Sequence, residues 1–142
     1  MFKRADLDLQ TGKALIDMLD GCQHRGPDST GFALYGDSNP GQLRLRFFVG
    51  DLEEATESVQ RIQTALADQG AEVVQDERIG NNYRATVNFD GDIRQLSYRM
   101  EHVSKVISIG ASLEIVKDVG SAHHVDDRYQ VHAFRGTHGI GH

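Results

Sequence analysis

The chain has 142 residues, 39% of them hydrophobic and 25% charged, a globular composition for which disorder is not the default reading. Its 15 Lys and Arg stand against 21 Asp and Glu for a net charge of −6, and no basic run could neutralise a track of phosphates, so no nucleic-acid partner is expected. No apolar run reaches the roughly 20 residues of a membrane helix and MFKRADLDLQ has no signal-type stretch, which predicts a cytoplasmic protein without a membrane partner; the single cysteine excludes an internal disulfide and a multi-cysteine zinc site.

The first periodic segment is TGKALIDMLDGC, where Leu15, Met18, Leu19 and Cys22 share a helical face and Thr11 is available as a cap. Cys22 on that face reads as core packing and not as a nucleophile. GFALYG (31–36) reads as a strand between glycines, and GDSNPG after it is turn chemistry. QLRLRFFVG then alternates Leu43, Leu45, Phe47 and Val49 against Gln42, Arg44, Arg46 and Phe48, the period of a half-buried strand. Next, Leu52, Ala55, Val59, Ile62 and Leu66 recur at helical steps behind Asp51 as cap with Glu54 in the first turn, and Gly70 stops the helix.

AEVVQ reads as a short strand, DERIGNN as a polar connection, and YRATVNF as a strand with Tyr83, Ala85, Val87 and Phe89 on one face. Ile93, Leu96, Met100 and Val103 predict another helix, and KVISIG another strand. From about 42 to 110 the order is therefore strand, helix, strand, strand, helix, strand, the pattern of a ferredoxin-like βαββαβ unit with both helices on one sheet face. LEIVKDVG (113–120) reads as a strand, SAHHVDDRYQ as a short helix capped by Ser121, and RGTHGIGH as a glycine-rich approach to a final strand.

Between the first helix and its strand stands HRGPDSTG (24–31). Gly26 opens backbone angles closed to other residues, Pro27 fixes the next φ, and the Asp28 and Ser29 side chains can bond back to nearby amides, so the loop is a stiff turn that holds Arg25. A guanidinium held this way can grip a carboxylate through two parallel hydrogen bonds or brace loops through carbonyls, and the residue types leave both open.

MLDGCQHRGPDSTGFALYG and the closing GTHGIGH resemble, in the same order, two motifs of class II, N-terminal-nucleophile, glutamine amidotransferases. KDVG with the short helix after it is similar to the amidotransferase subunits related to glutamate synthase and N-methylglutamate synthase. The resemblance covers roughly 2–36 and 111–142. It implies an α+β chain: a partial Ntn-hydrolase (α/β/β/α) amidotransferase domain over 1–41 and 111–142, with the ferredoxin-like subdomain over 42–110 inserted into it.

The same resemblance implies an enzyme that hydrolyses glutamine to glutamate and supplies ammonia to a glutamate-synthase-like partner, with no cofactor. In the family the nucleophile is a terminal cysteine whose α-amine activates its own thiol, with amide donors for the oxyanion. This chain begins MFKR and stops at His142 where the family continues Thr-Arg, which implies that nucleophile and oxyanion segment lie outside it and that the chain alone is inactive. Phe2 and Lys3 match the end of the first family strand. Carried over by motif, Arg25, Gly26 and Asp28 form the turn beside the nucleophile, and Gly141 and His142 begin the substrate strand; these five are the expected pocket scaffold.

The alternative is that the 42–110 unit works as a ligand-binding or partner-docking module without catalysis, which an exposed apolar sheet face or edge would favour. His123, His124, His132, His138 and His142 crowd the last twenty residues, yet Gly139 and Gly141 argue against the helix that would aim His138 and His142 at one metal, so no metal site is expected. Glu53 with Glu54 and Asp126 with Asp127 read as solvated helix positions, not as paired catalytic carboxylates.

Overall fold

The computed structural model describes residues 2–3, 10–22 and 29–142. In chain order the elements are β1 (Phe2–Lys3), α1 (Thr11–Asp20), β2 (Ser29–Tyr35), β3 (Gln42–Phe48), α2 (Leu52–Asp68) and β4 (Glu72–Ile79). They continue with β5 (Asn82–Asn88), α3 (Ile93–Glu101), β6 (Lys105–Gly110), β7 (Leu113–Val119), α4 (Ala122–Tyr129), a 3-10 turn (Val131–Ala133) and β8 (His138–Gly141). The chain is α+β and divides into two compact units, one of Met1–Asp37 with Ser112–His142 and one of Ser38–Ala111. Among the described residues no helix is long and apolar enough to cross a membrane.

The first unit is built on a sheet of order β1-β8-β2-β7. Along β2 the alternation places Thr30, Phe32 and Leu34 in the buried row. Helix α1 lies over that row, with Leu15 and Ile16 buried. Helix α4 covers the β7 side, where Arg128 and the Tyr129 hydroxyl both donate to Asp118 Oδ2, at 2.7 and 2.9 Å. Ser121 caps α4 as expected, its hydroxyl accepting from the His124 amide at 3.2 Å.

Two expectations for α1 are corrected. Thr11 is the first helical residue and not the cap; its hydroxyl donates to the Gly136 carbonyl at 2.5 Å. The buried stripe is Thr11, Gly12, Leu15 and Ile16, while Met18 is 48% exposed and Cys22 lies exposed beyond the helix end, so Cys22 is not core packing. The stripe is rotated because the N-terminal turn of α1, made of small residues, closes onto the 131–136 segment: the Gly12 amide donates to the Phe134 carbonyl at 3.2 Å, and a Cβ on Gly12 would overlap the Val131 carbonyl oxygen.

The second unit runs strand, helix, strand, strand, helix, strand, on a sheet of order β4-β5-β3-β6 in which every pairing is antiparallel. Leu43, Leu45 and Phe47 of β3 and Tyr83, Ala85 and Val87 of β5 meet Ala55, Ile62 and Leu66 of α2 and Leu96 and Met100 of α3 in one buried cluster. The expected inward faces of both central strands are therefore the observed ones.

Four details differ from expectation. DERI is strand, not connection: β4 runs to Ile79, and the hairpin turns on Gly80 and Asn81 alone, Gly80 taking the left-handed backbone (φ 55°) that such a tight turn demands. Arg46, expected outward, is only 2% exposed; it keeps the outward phase of β3, in which Gln42 and Arg44 are half-buried and Phe48 is exposed, and its guanidinium donates to buried Asn82 at 3.3 Å. Ile93 is 46% exposed, since it opens α3 immediately after the cap, and the buried stripe narrows to Leu96 and Met100. Asp51 precedes α2 without a side-chain cap bond, whereas Asp92 caps α3 by accepting from the Arg94 amide at 2.8 Å.

Three side chains tie α2, β4 and β5 together. The Tyr83 hydroxyl donates to Asp76 Oδ2 at 2.8 Å, and the Gln63 amide donates to both, at 3.1 Å each. Burial of the ring, reinforced by the bond to Asp76, pushes the Tyr83 phenol from 10.0 up to about 12. The native state thus holds this proton more tightly than the unfolded chain does. The resulting stabilisation, on the order of 2 kcal/mol, is complete below pH 10.0 and is lost as pH rises through about 12. In a tyrosinate absorbance titration, one of the four tyrosines is expected to ionise last. Tyr83→Phe is expected to remove that late phase and to flatten the loss of stability over the same pH range.

Candidate functional site

Register brings three parts of the chain to one end of the first sheet. Both neighbours of β8 run antiparallel to it, with Phe2 opposite Gly139 on one side and Phe32 opposite Gly141 on the other. Strands β1 and β2 therefore both begin where β8 ends. The last pairing is reciprocal: the Gly31 amide donates to the His142 carbonyl at 2.8 Å and the His142 amide to the Gly31 carbonyl at 2.9 Å. At the same end the Thr30 hydroxyl donates to the Gly120 carbonyl at 2.6 Å, tying the start of β2 to the turn after β7.

Of the expected scaffold, Gly141 and His142 thus stand beside the start of β2. Ser29, the residue next to Asp28, is the first residue of β2. Arg25, Gly26 and Asp28 themselves lie outside the described residues.

The two glycines of β8 have a steric reason. An added Cβ at Gly139 would sit 2.5 Å from Leu15 Cδ1 and 3.3 Å from the Ala33 carbonyl oxygen, and one at Gly141 would sit 2.8 Å from Leu19 Cδ1. Helix α1 rests directly on the strand backbone, so side chains can project only from the alternate positions. Ile140, 45% exposed, occupies one of these, and His142 is exposed at the strand end.

The remaining histidines are dispersed. His123 Nε2 lies 3.2 Å from Asp20 Oδ1, joining α4 to the end of α1. His132 makes two bonds to Asp126 Oδ1, from its amide at 2.7 Å and from Nδ1 at 2.9 Å, so Asp126 is a partly buried anchor and not the solvated charge expected from its helix position. His138 stacks on Tyr35, ring centroids 4.3 Å apart and 11° from coplanar, while its Nδ1 meets the Thr137 hydroxyl at 2.9 Å. Among the described residues no three His, Cys, Asp or Glu side chains gather to hold a metal ion. Sequence reasoning missed the Tyr35–His138 stack, because the two rings meet only once β2 and β8 pair in this register.

No family model matches the chain. It is 32% identical over 141 residues to a protein of Methanothermobacter thermautotrophicus that carries the provisional name glutamine amidotransferase, an alignment over 92% of this chain and 45% of that protein. It is 31% identical over 145 residues to glutamine amidotransferase-like protein GlxB of Rhizobium meliloti, over 99% of this chain and 46% of that protein. The chain spans less than half the length of either relative.

The contact of α1 with β8 gives a direct test. Gly139→Ala is expected to lower stability by about 1–3 kcal/mol through overpacking against Leu15. In a Leu15→Ala background the same change is expected to cost less, a coupling that a double-mutant cycle of denaturant midpoints measures.

Proposed function

We propose that this chain is part of a class II, N-terminal-nucleophile, glutamine amidotransferase. The complete protein hydrolyses glutamine to glutamate and passes ammonia to a synthase subunit or domain of the glutamate-synthase type. Two relatives named for glutamine amidotransferase, each about a third identical across nearly the whole chain, support the first part. The structural observation that carries it is the register: the starts of β1 and β2 and the end of β8 share one sheet end. That is where a nucleophile ahead of the first strand, an arginine turn ahead of the second and a substrate segment after the last would have to converge. Arg25 then serves as the fixed cation of the turn, Gly26 and Asp28 shape it, and Gly141 and His142 carry the backbone into the pocket.

In this reading residues 42–110 are a ferredoxin-like subdomain inserted into the amidotransferase fold. The strand order β4-β5-β3-β6, with α2 and α3 sharing one core, supports that description. A second reading, a ligand-binding or docking module without catalysis, draws on the open groove between α2 and the end of α3, where Arg61, Thr64, Asp68 and His102 surround Ala65 and Val103. The two readings are separated by chemistry: only the first requires glutamine turnover.

The test is glutamate release from glutamine by the gene product that carries this segment. Arg25→Ala is expected to cut kcat/KM roughly ten- to hundredfold, the worth of a hydrogen bond to a charged group. Lys13→Ala, which removes only the exposed ion pair with Asp17, is expected to leave it unchanged. Absence of glutamine hydrolysis in that gene product, or an Arg25→Ala variant with full activity, overturns the proposal.

A further inference from the structure

We infer that residues 38–111 are an autonomous folding module, inserted at a hairpin position of the first unit and able to open without disturbing it. The junction carries the argument. Strand β2 leaves its sheet at Tyr35, directly opposite Leu113 where β7 begins, and the Gly36 amide donates to the Ser112 carbonyl at 2.9 Å. Antiparallel neighbours need only a two-residue connection. The β2–β7 ladder is therefore closed by its own bonds, and the sheet requires nothing from the stretch between.

The module closes on itself in the same way. Its first and last strands, β3 and β6, are neighbours, with Arg44 opposite Gly110, so its two ends also lie side by side. The Phe89 amide donates to the Gly41 carbonyl at 2.9 Å, fastening the start of the module to the end of β5. Among the described residues its buried cluster is made of residues from Leu43 to Met100, with Val103, Val106 and Ile109 packed against it. Domains of about 60 residues fold alone when they own such a core.

The attachment point also has a definite place on the first unit. Tyr35 and Ser29 are the two ends of β2, about 20 Å apart at the rise of an extended strand. The chain thus leaves β2 for the module at the end of that strand opposite to the one where Gly31 pairs with His142. Opening of the module leaves the ladders at that far end intact.

Hydrogen exchange of the intact chain, read by mass spectrometry on peptides, tests this. Ile62→Ala is expected to speed exchange of the β3 and β5 amides at least about tenfold, the effect of a large-to-small change in a core, and to leave β2, β7 and β8 at their original rates. Leu15→Ala is expected to do the reverse. Ile62→Val and Leu15→Val are milder versions that keep the comparison available if an alanine variant does not fold. Acceleration in both units from a substitution in one would show a single cooperative structure and overturn the inference.

Discussion

The first unit depends on the contact between α1 and the bare backbone of β8. A helix rides on a sheet through its side chains, at a distance set by them; here Gly139 and Gly141 contribute none, and Leu15 and Leu19 settle into the space. The near end of the helix is fixed just as closely. Gly12 approaches the Val131 carbonyl, its amide bonds to Phe134, and Thr11 bonds to Gly136. The segment that leads into β8 is therefore held by the first turn of α1, and β8 itself by the second and third. Since β8 is flanked by β1 and β2, its position sets theirs through the ladder, and the sheet end where Gly31 pairs with His142 follows.

The second unit is organised by a different principle. Among the described residues its core is an interleaving of aliphatic and aromatic side chains from two helices and the strands β3 and β5, with Val73 of β4 and Val106 and Ile109 of β6 packed against it. The polar trio of Gln63, Asp76 and Tyr83 sits at the margin of that core and satisfies the Tyr83 hydroxyl, which burial would otherwise penalise. Both edge strands carry register shifts, β4 between Val73 and Gln75 and β6 opposite Arg46 and Phe47. Such irregularities, with Glu72, Asp76, Glu77 and Arg78 along β4, blunt an edge against pairing with another chain.

This contrast explains what could be read from sequence and what could not. Where burial follows a simple period, as in β3, β5 and α2 from Ala55 onward, the inward residues are those expected, down to Ile62 and Leu66; the Leu52 side chain lies outside the described residues. Where packing relies on the absence of side chains, periodicity misled: the apolar pattern of α1 pointed to Met18 and Cys22, while Thr11 and Gly12 carry the contact. Hydropathy is blind to Gly12 because its role is to be small. The polar run DERI hid a strand for a related reason, since an edge strand needs little apolar content to be held by one ladder. Arg46 and Asp126 differ from expectation because burial of a charged residue depends on partners that hydropathy does not reveal, Asn82 on the neighbouring strand for one and His132 just beyond the helix end for the other. For the candidate site, the motifs could be quoted from the chain, but their meeting is a property of register, which no local pattern encodes.

The two packing principles also bear on function. A site formed at a sheet end must hold its backbone to fractions of an ångström, and reciprocal amide bonds such as those between Gly31 and His142 do this with little dependence on side-chain identity. What they do depend on is the height of β8 over α1, which two glycines and two leucines determine. With no side chain on β8 at Gly139 and Gly141 to rearrange, displacement of Leu15 and Leu19 bears on the strand backbone and through it on the neighbouring strands. The positions of Gly31, Gly141 and His142 are therefore set by residues away from that sheet end, and an added Cβ at Gly139 or Gly141 would press on Leu15 or Leu19.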